Sequence, residues 1–147
     1  MTKSIIEEKD PPFYKFERAC RLLLEPRDPY PLRIDECRDY VERTFQVLNR
    51  KPLWPIRMDV GFGRLTGCCT FKCDSRDEPR TIIALPELRR RPWTAIHEAV
   101  HALLPFETPH GPLFAQLCIE AWIQLIGWPR EMLYELAAVH NVQLWAE

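Results

Sequence analysis

The stretch Ala95-Ile96-His97-Glu98-Ala99-Val100-His101-Ala102-Leu103-Leu104 organises the rest of the chain. It contains the pattern His-Glu-x-x-His, and its apolar residues recur at helical spacing, which predicts an amphipathic helix packed on a core. Pro92 suits the first turn of a helix, and Pro105 disfavours helical geometry at the residue before it. The helix is therefore predicted over about residues 92 to 104.

The two histidines of this helix are candidate metal ligands. Imidazoles four residues apart on a helix lie one above the other, so His97 and His101 can direct a ring nitrogen at the same ion. Glu98 lies beside them and can take a proton from a water that the ion activates. These residues predict a zinc centre with Glu98 as the catalytic base, whereas the alternative makes both histidines ordinary surface residues of a solvated helix.

A catalytic zinc ion takes three protein ligands and a water, so a third ligand is expected further along the chain. The candidates are His110, Glu107 and Glu120. The apolar residues from Phe114 to Leu125 recur on one helical face, and Glu120 points away from that face. His110 falls in line with the face if the helix begins just after it. We therefore predict His110 as the third ligand, with Glu120 as the second choice.

The two histidine clusters resemble a known signature. The HExxH helix, a short Pro-containing loop and His110-Gly111-Pro112-Leu113-Phe114 look like the HExxH…HGPxF pattern of SprT-like zinc metallopeptidases. More closely, they resemble a small family of bacterial and phage metallohydrolases. Further upstream, the segment Ile83-Ala84-Leu85-Pro86 and residues Trp93 and Trp54 fit the family pattern, as does the pair Tyr40-Val41, so the similarity covers roughly residues 35 to 140.

The resemblance implies a zincin-like metallopeptidase that binds Zn²⁺. Many SprT-like proteins also carry a C-terminal zinc ribbon of paired CxxC elements, and no such elements follow here. The DNA-linked role of those proteins is therefore not carried over to this sequence.

The fold class predicted for the chain is α+β. We expect one minimal zincin-like domain over residues 1–147, with a flexible N-terminus over residues 1–10. A small sheet of three or slightly more strands should pack on the HExxH helix, flanked by N-terminal and C-terminal helices. The alternation of apolar residues and the turn residues between them predict strands at Ile56–Phe62, Gly67–Cys73 and Thr81–Leu85.

The strand Thr81–Leu85 is a candidate for substrate binding. In zincins the strand beside the active helix commonly receives an extended substrate by strand addition, which requires unpaired backbone groups. On this interpretation Ile82, Ile83 and Ala84 bind a peptide. An ordinary sheet edge without this function is the alternative.

Composition narrows the possible partners and location. Twenty Lys and Arg against 21 Asp and Glu leave a net charge of −1, which gives no electrostatic reason to expect nucleic-acid or membrane binding. The first ten residues have the character of neither a signal peptide nor a membrane span, so we expect a cytoplasmic protein. The six cysteines are then expected to be reduced thiols. The run Arg89-Arg90-Arg91 is interpreted as a solvated connector, with an acidic partner as the alternative.

The function that these residues predict is zinc-dependent hydrolysis of an amide, most simply a peptide bond in a peptide or protein substrate. Tyr134 and His140 are candidates for stabilising the oxyanion, although the spacing selects neither. Cys68, Cys69 and Cys73 match no zinc template. Two alternatives remain open: a zincin-like binding module whose metal is structural, and a zinc amidase that acts on a small molecule.

Overall fold

A computed structural model describes residues 11–26, 30–73, 78–105 and 108–145. These residues contain five α-helices and three β-strands, so the predicted α+β class is confirmed. The predicted flexible segment 1–10 lies outside the described residues. In chain order the elements are α1 (Pro11–Leu24), α2 (Ile34–Val47), β1 (Ile56–Asp59), β2 (Cys68–Lys72), β3 (Arg80–Ala84), α3 (Pro92–Leu103), α4 (Pro112–Ile126) and α5 (Arg130–Val139).

The chain divides into two compact units. One unit is Tyr30–Glu107, and the other combines Met1–Pro29 with Thr108–Glu147. The single-domain interpretation of the sequence therefore stays a prediction, and each unit is described by itself.

The unit Tyr30–Glu107 contains the three-stranded sheet, in the order β1-β3-β2. β1 runs parallel to β3, with Ile56 opposite Thr81, and β2 runs antiparallel to it, with Cys69 opposite Ile83. β3 is thus the central strand. Because a central strand is covered by neighbours and packed on a core, its residues are the most apolar of the sheet, and Ile83 is fully buried.

The sheet packs on the HExxH helix, as predicted. Ile83 of β3 and Leu85 just after it form a core cluster with the alanines of α3 and with two residues of α2. Alanine keeps the helix backbone close to the sheet, because it adds almost no side-chain thickness at the contact. The other members of this cluster are Ala95, Ala99, Ala102, Cys37 and Val41.

β1 is shorter than the sequence predicted and ends at Asp59. Its carboxylate accepts a hydrogen bond of 2.9 Å from the backbone N–H of Gly61, which starts a turn. Gly61 has a φ of 69°, and a Cβ on it would approach the backbone nitrogen of Pro86 to 2.5 Å. Only glycine meets both requirements, so the chain leaves the sheet here instead of continuing to Phe62.

Two arginines of the run before α3 hold this turn in place. The Arg90 guanidinium donates to the carbonyl oxygens of Leu85, at 2.9 Å, and Val60, at 3.0 Å. Arg89 donates to the carbonyl oxygen of Leu65 at 3.2 Å. The prediction of a merely solvated connector was wrong for these two residues, because their side chains satisfy backbone acceptors that no strand pairing reaches.

The second unit is built from α1, α4 and α5. Phe16 of α1 packs against Trp122 of α4, with ring centroids 6.2 Å apart, and Trp122 lies 5.3 Å from Trp128. α4 ends at Ile126, and the capping residue Gly127 adopts the left-handed conformation with a φ of 74°. The helices of the described residues lack the length and the apolar character that a membrane span requires.

Candidate metal centre

α3 brings the first two predicted ligands together. It begins at Pro92 and ends at Leu103, close to the predicted range. The Nε2 atoms of His97 and His101 lie 3.2 Å apart. The ring centroids are 5.0 Å apart. This arrangement follows directly from the four-residue spacing, since it stacks the two side chains along one face of the helix.

Glu98 is placed beside these histidines and is almost fully buried, with 5% of its surface exposed. One of its carboxylate oxygens lies 3.7 Å from Nε2 of His97. Its charge also acts on β2: burial, and then the Glu98 carboxylate, raises the pKa of the Cys69 thiol. Glu98 therefore has a histidine on one side and the cysteines of the neighbouring strand on another.

His110 lies in the other unit, immediately before α4, and is surrounded by aromatic rings. The ring of Phe13 stacks on it at 5.0 Å with an interplanar angle of 12°. Tyr14 and Phe114 meet it edge to face at 5.0 and 4.6 Å. α4 begins at Pro112, close to the start that the choice of His110 assumed.

His97, His101 and His110 form a group that could hold a metal ion. Each offers one ring nitrogen as a possible ligand. Two ligands of a tetrahedral zinc ion are about 3.4 Å apart when each bond is about 2.0–2.1 Å long. The 3.2 Å between His97 and His101 is close to that value. Three imidazoles are also a donor set that zinc accepts in catalytic sites, so these residues fit the ion.

Glu120, the second choice for the third ligand, has other partners. Arg130 donates two hydrogen bonds to its carboxylate, at 2.7 and 3.1 Å. Gln116 and Tyr134 also donate to it, at 3.2 and 3.3 Å. The Glu120 carboxylate could bind a metal only if these hydrogen bonds were broken. The geometry therefore favours His110 over Glu120.

The network around Glu120 predicts a pH-dependent contribution to stability. Hydrogen bonding from Arg130 holds the pKa of the Glu120 carboxyl below its usual value. A lowered pKa in the folded state stabilises the protein above the unfolded pKa, and this contribution is lost as the pH falls through the folded pKa. We expect Glu120→Gln to lower the free energy of unfolding at pH 7 by less than about 1 kcal/mol. The difference in the free energy of unfolding between Glu120→Gln and the wild type should vanish in acid.

Urea denaturation at pH 7 and in acid measures this effect. Glu135→Gln, the same change at an exposed position of α5, is the matched control and should leave the free energy of unfolding unchanged at both pH values. A loss of stability in Glu120→Gln that is equally large at both pH values would contradict the proposed ionic origin.

Of the other predicted candidates, Tyr134 and His140 have contacts within their own unit. Glu107 lies outside the described residues. The Tyr134 hydroxyl is part of the Glu120 network, where Arg130 donates to it at 3.1 Å. His140 is the C-terminal capping residue of α5, and its backbone N–H donates to the carbonyl of Leu136.

The predicted role of Ile82, Ile83 and Ala84 in strand addition was wrong. These residues belong to β3, whose residues are paired with β1 on one side and with β2 on the other. Ile83 and Ala84 are also buried, with exposures of 0% and 2%. The sequence could not reveal this, because strand order depends on pairing between distant segments. Within the described sheet, β2 is the edge strand near Glu98.

Two sets of neighbours were missed by the sequence interpretation. Cys68 and Cys69 of β2 lie close enough to Glu98 for its charge to affect their pKa values. Phe13 and Tyr14 of α1 contact His110 although almost a hundred positions separate them. The aromatic character of Phe13 and Tyr14 was visible in the sequence, but nothing in the spacing pointed to His110.

Comparisons with protein-family models, with curated proteins and with solved structures gave no match.

Proposed function

We propose that this chain is a zinc-dependent hydrolase, and specifically a metallopeptidase of the SprT-like zincin type. The observation that carries the proposal is the buried Glu98 carboxylate 3.7 Å from His97, beside the close pair of His97 and His101. A metal that served only to stabilise the fold would not need an acid adjacent to its first ligand. The HExxH…HGPxF resemblance supports the same conclusion.

His97, His101 and His110 would hold the ion through neutral imidazoles. Zinc bound in this way supplies Lewis-acid chemistry and lowers the pKa of a water to about 7. With three protein ligands, the site would still have room for a water or the substrate. Because an imidazolium cannot ligate, the histidines must lose their protons before they bind the ion, and metal binding should weaken in acid.

Glu98 would act as the general base and then as the general acid. Its carboxylate accepts a proton from the attacking water and passes it to the departing amine. The 5% exposure of Glu98 leaves few solvent waters around it, so its electrostatic interaction with nearby groups is stronger than at the surface. The adjacent position on α3 fixes its distance from His97.

The substrate class we propose is an extended peptide that pairs with the edge of β2. Within the described residues, β2 is paired only with β3. The Glu98 charge acts on both Cys68 and Cys69, so the first residues of β2 lie near the catalytic base. A peptide added along this edge would be recognised through its backbone and carried past Glu98.

The cytoplasmic location expected from the sequence forms part of the proposal. All six cysteines fall in the described ranges, and none of them is in a disulfide. Reduced thiols are typical of a reducing compartment, which supports this location.

Metal-dependent proteolysis tests the proposal directly. The purified chain should release peptides from denatured casein, lose this activity completely with 1,10-phenanthroline, and regain it when zinc is added back. A small acyl-amide reporter measured in parallel separates the alternatives. Hydrolysis of the reporter without cleavage of casein would favour the small-molecule amidase. A chain that binds zinc and hydrolyses neither would favour the binding module.

A further inference from the structure

The His110 imidazole is enclosed by three aromatic side chains of its own unit. Phe13 covers one face of the ring in a nearly parallel stack, while Tyr14 and Phe114 present their rings edge to face. The centroid separations of 4.6 to 5.0 Å are within the range at which aromatic pairs attract each other. Together the three contacts restrict both the plane and the position of the imidazole.

Two of these three side chains come from α1. Phe114 belongs to the His-Gly-Pro-x-Phe segment, so its closeness to His110 follows from four residues of separation. Phe13 and Tyr14 lie near the start of α1, outside the roughly 35–140 range in which the chain resembles a known family. Phe13 is 2% exposed, and its ring also packs on Phe16 and Phe114. The Phe13 ring that stacks on His110 is therefore held in the core of the unit.

A histidine just before a helix, in a segment without regular structure, is free to rotate about two side-chain bonds unless neighbours restrict it. Ordering the ring when a metal binds then costs conformational entropy, and a ring that is already ordered avoids that cost. In many metal sites a hydrogen bond from a carboxylate or carbonyl orients the histidine. At His110 the ring contacts with Phe13, Tyr14 and Phe114 contribute to this orientation.

We propose that Phe13 and Tyr14 are positioning residues that hold His110 in the orientation required for metal binding. The proposal rests on the proposed function, because it takes His110 as a zinc ligand. It extends the metal centre to α1, to which the sequence interpretation gave no role. The expected consequence is that changes in α1 alter zinc affinity as well as stability.

The test compares two identical substitutions on the same helix. Phe13→Leu removes the stacked ring, whereas Phe16→Leu removes an equally buried ring that packs on Trp122. Outer contacts of a metal ligand typically contribute about 10–100-fold to affinity, so Phe13→Leu should weaken zinc binding about tenfold in a chelator competition. It should also change the visible absorption of the cobalt-substituted protein. Phe16→Leu keeps the ring that stacks on His110 and should change both properties far less.

Tyr14 provides a second arm that does not depend on a buried substitution, since this side chain is only half-buried. Tyr14→Leu should weaken zinc binding, and the conservative variant Tyr14→Phe should retain wild-type affinity because it keeps the edge contact. Wild-type affinity and an unaltered cobalt spectrum in both Phe13→Leu and Tyr14→Leu would overturn the positioning role.

The wild-type protein and His110→Ala separate this inference from the proposed function. If the wild type binds zinc and His110→Ala loses it, while the α1 variants bind normally, the inference alone is wrong. If the wild type takes up no zinc, or His110→Ala binds it as tightly as the wild type, the proposed site is wrong and the inference fails with it.

Discussion

Glu98→Gln is expected to lower the rate of peptide hydrolysis by about 10²–10⁴-fold, the usual contribution of a general base. Glutamine has nearly the same shape as glutamate but cannot accept the proton of the attacking water at neutral pH. The zinc content should stay at that of the wild type, because the predicted ligands are the three histidines and the Glu98 carboxylate is not among them. Rate and metal content are measured on the same preparation.

The matched control is Glu120→Gln, the same chemical change in a carboxylate that interacts with Arg130 and Tyr134. This variant should keep both its zinc and its rate of hydrolysis. Undiminished hydrolysis by Glu98→Gln would remove Glu98 from the base role. A simultaneous loss of zinc would indicate that Glu98 helps to hold the ion.

His110→Ala is expected to lower zinc affinity by more than about 100-fold, since even the loss of a contact outside the ligand shell costs about 10–100-fold. The remaining pair, His97 and His101, would hold the ion through only two protein atoms. Hydrolysis should fall with the metal content. Equilibrium competition with a chromogenic chelator measures the affinity of each variant.

Glu120→Ala distinguishes between the two ligands that the sequence left open. Its zinc affinity should match that of the wild type, because the Glu120 carboxylate is already bound by Arg130, Gln116 and Tyr134. The opposite pattern, with zinc kept in His110→Ala and lost in Glu120→Ala, would mean that the Glu120 network opens to bind the ion.

The helices could be predicted because their signals are local. Pro92 and Pro105 delimit α3, and the predicted end at residue 104 differs from Leu103 by a single position. In α1, helical periodicity alone would bury Leu23, which is 63% exposed, while Glu17 is only 8% exposed. Periodicity locates the apolar stripe of a helix, but the width of the stripe depends on neighbours that the sequence does not identify.

The sheet was predicted only in part, because its order is not a local property. The three strands were located to within a few residues. The sequence could not show that the last strand, β3, lies between the first two. The proposed peptide-binding edge consequently moves from β3 to β2.

The candidate metal centre also combines features that follow from the local sequence with features that depend on distant contacts. The spacing of His97 and His101 places their nitrogens together, and helix phasing favoured His110 over Glu120. The aromatic rings that surround His110 come from a helix far away in the sequence. Contacts of this kind become visible only when the chain is folded.

The metal content of the purified wild-type chain, measured by elemental analysis before and after incubation with zinc, shows whether the proposed zinc site exists. We expect one zinc per chain, held by His97, His101 and His110. No metal in the purified protein and no uptake of added zinc would contradict it, and α3 would then be a packed helix that happens to carry two histidines.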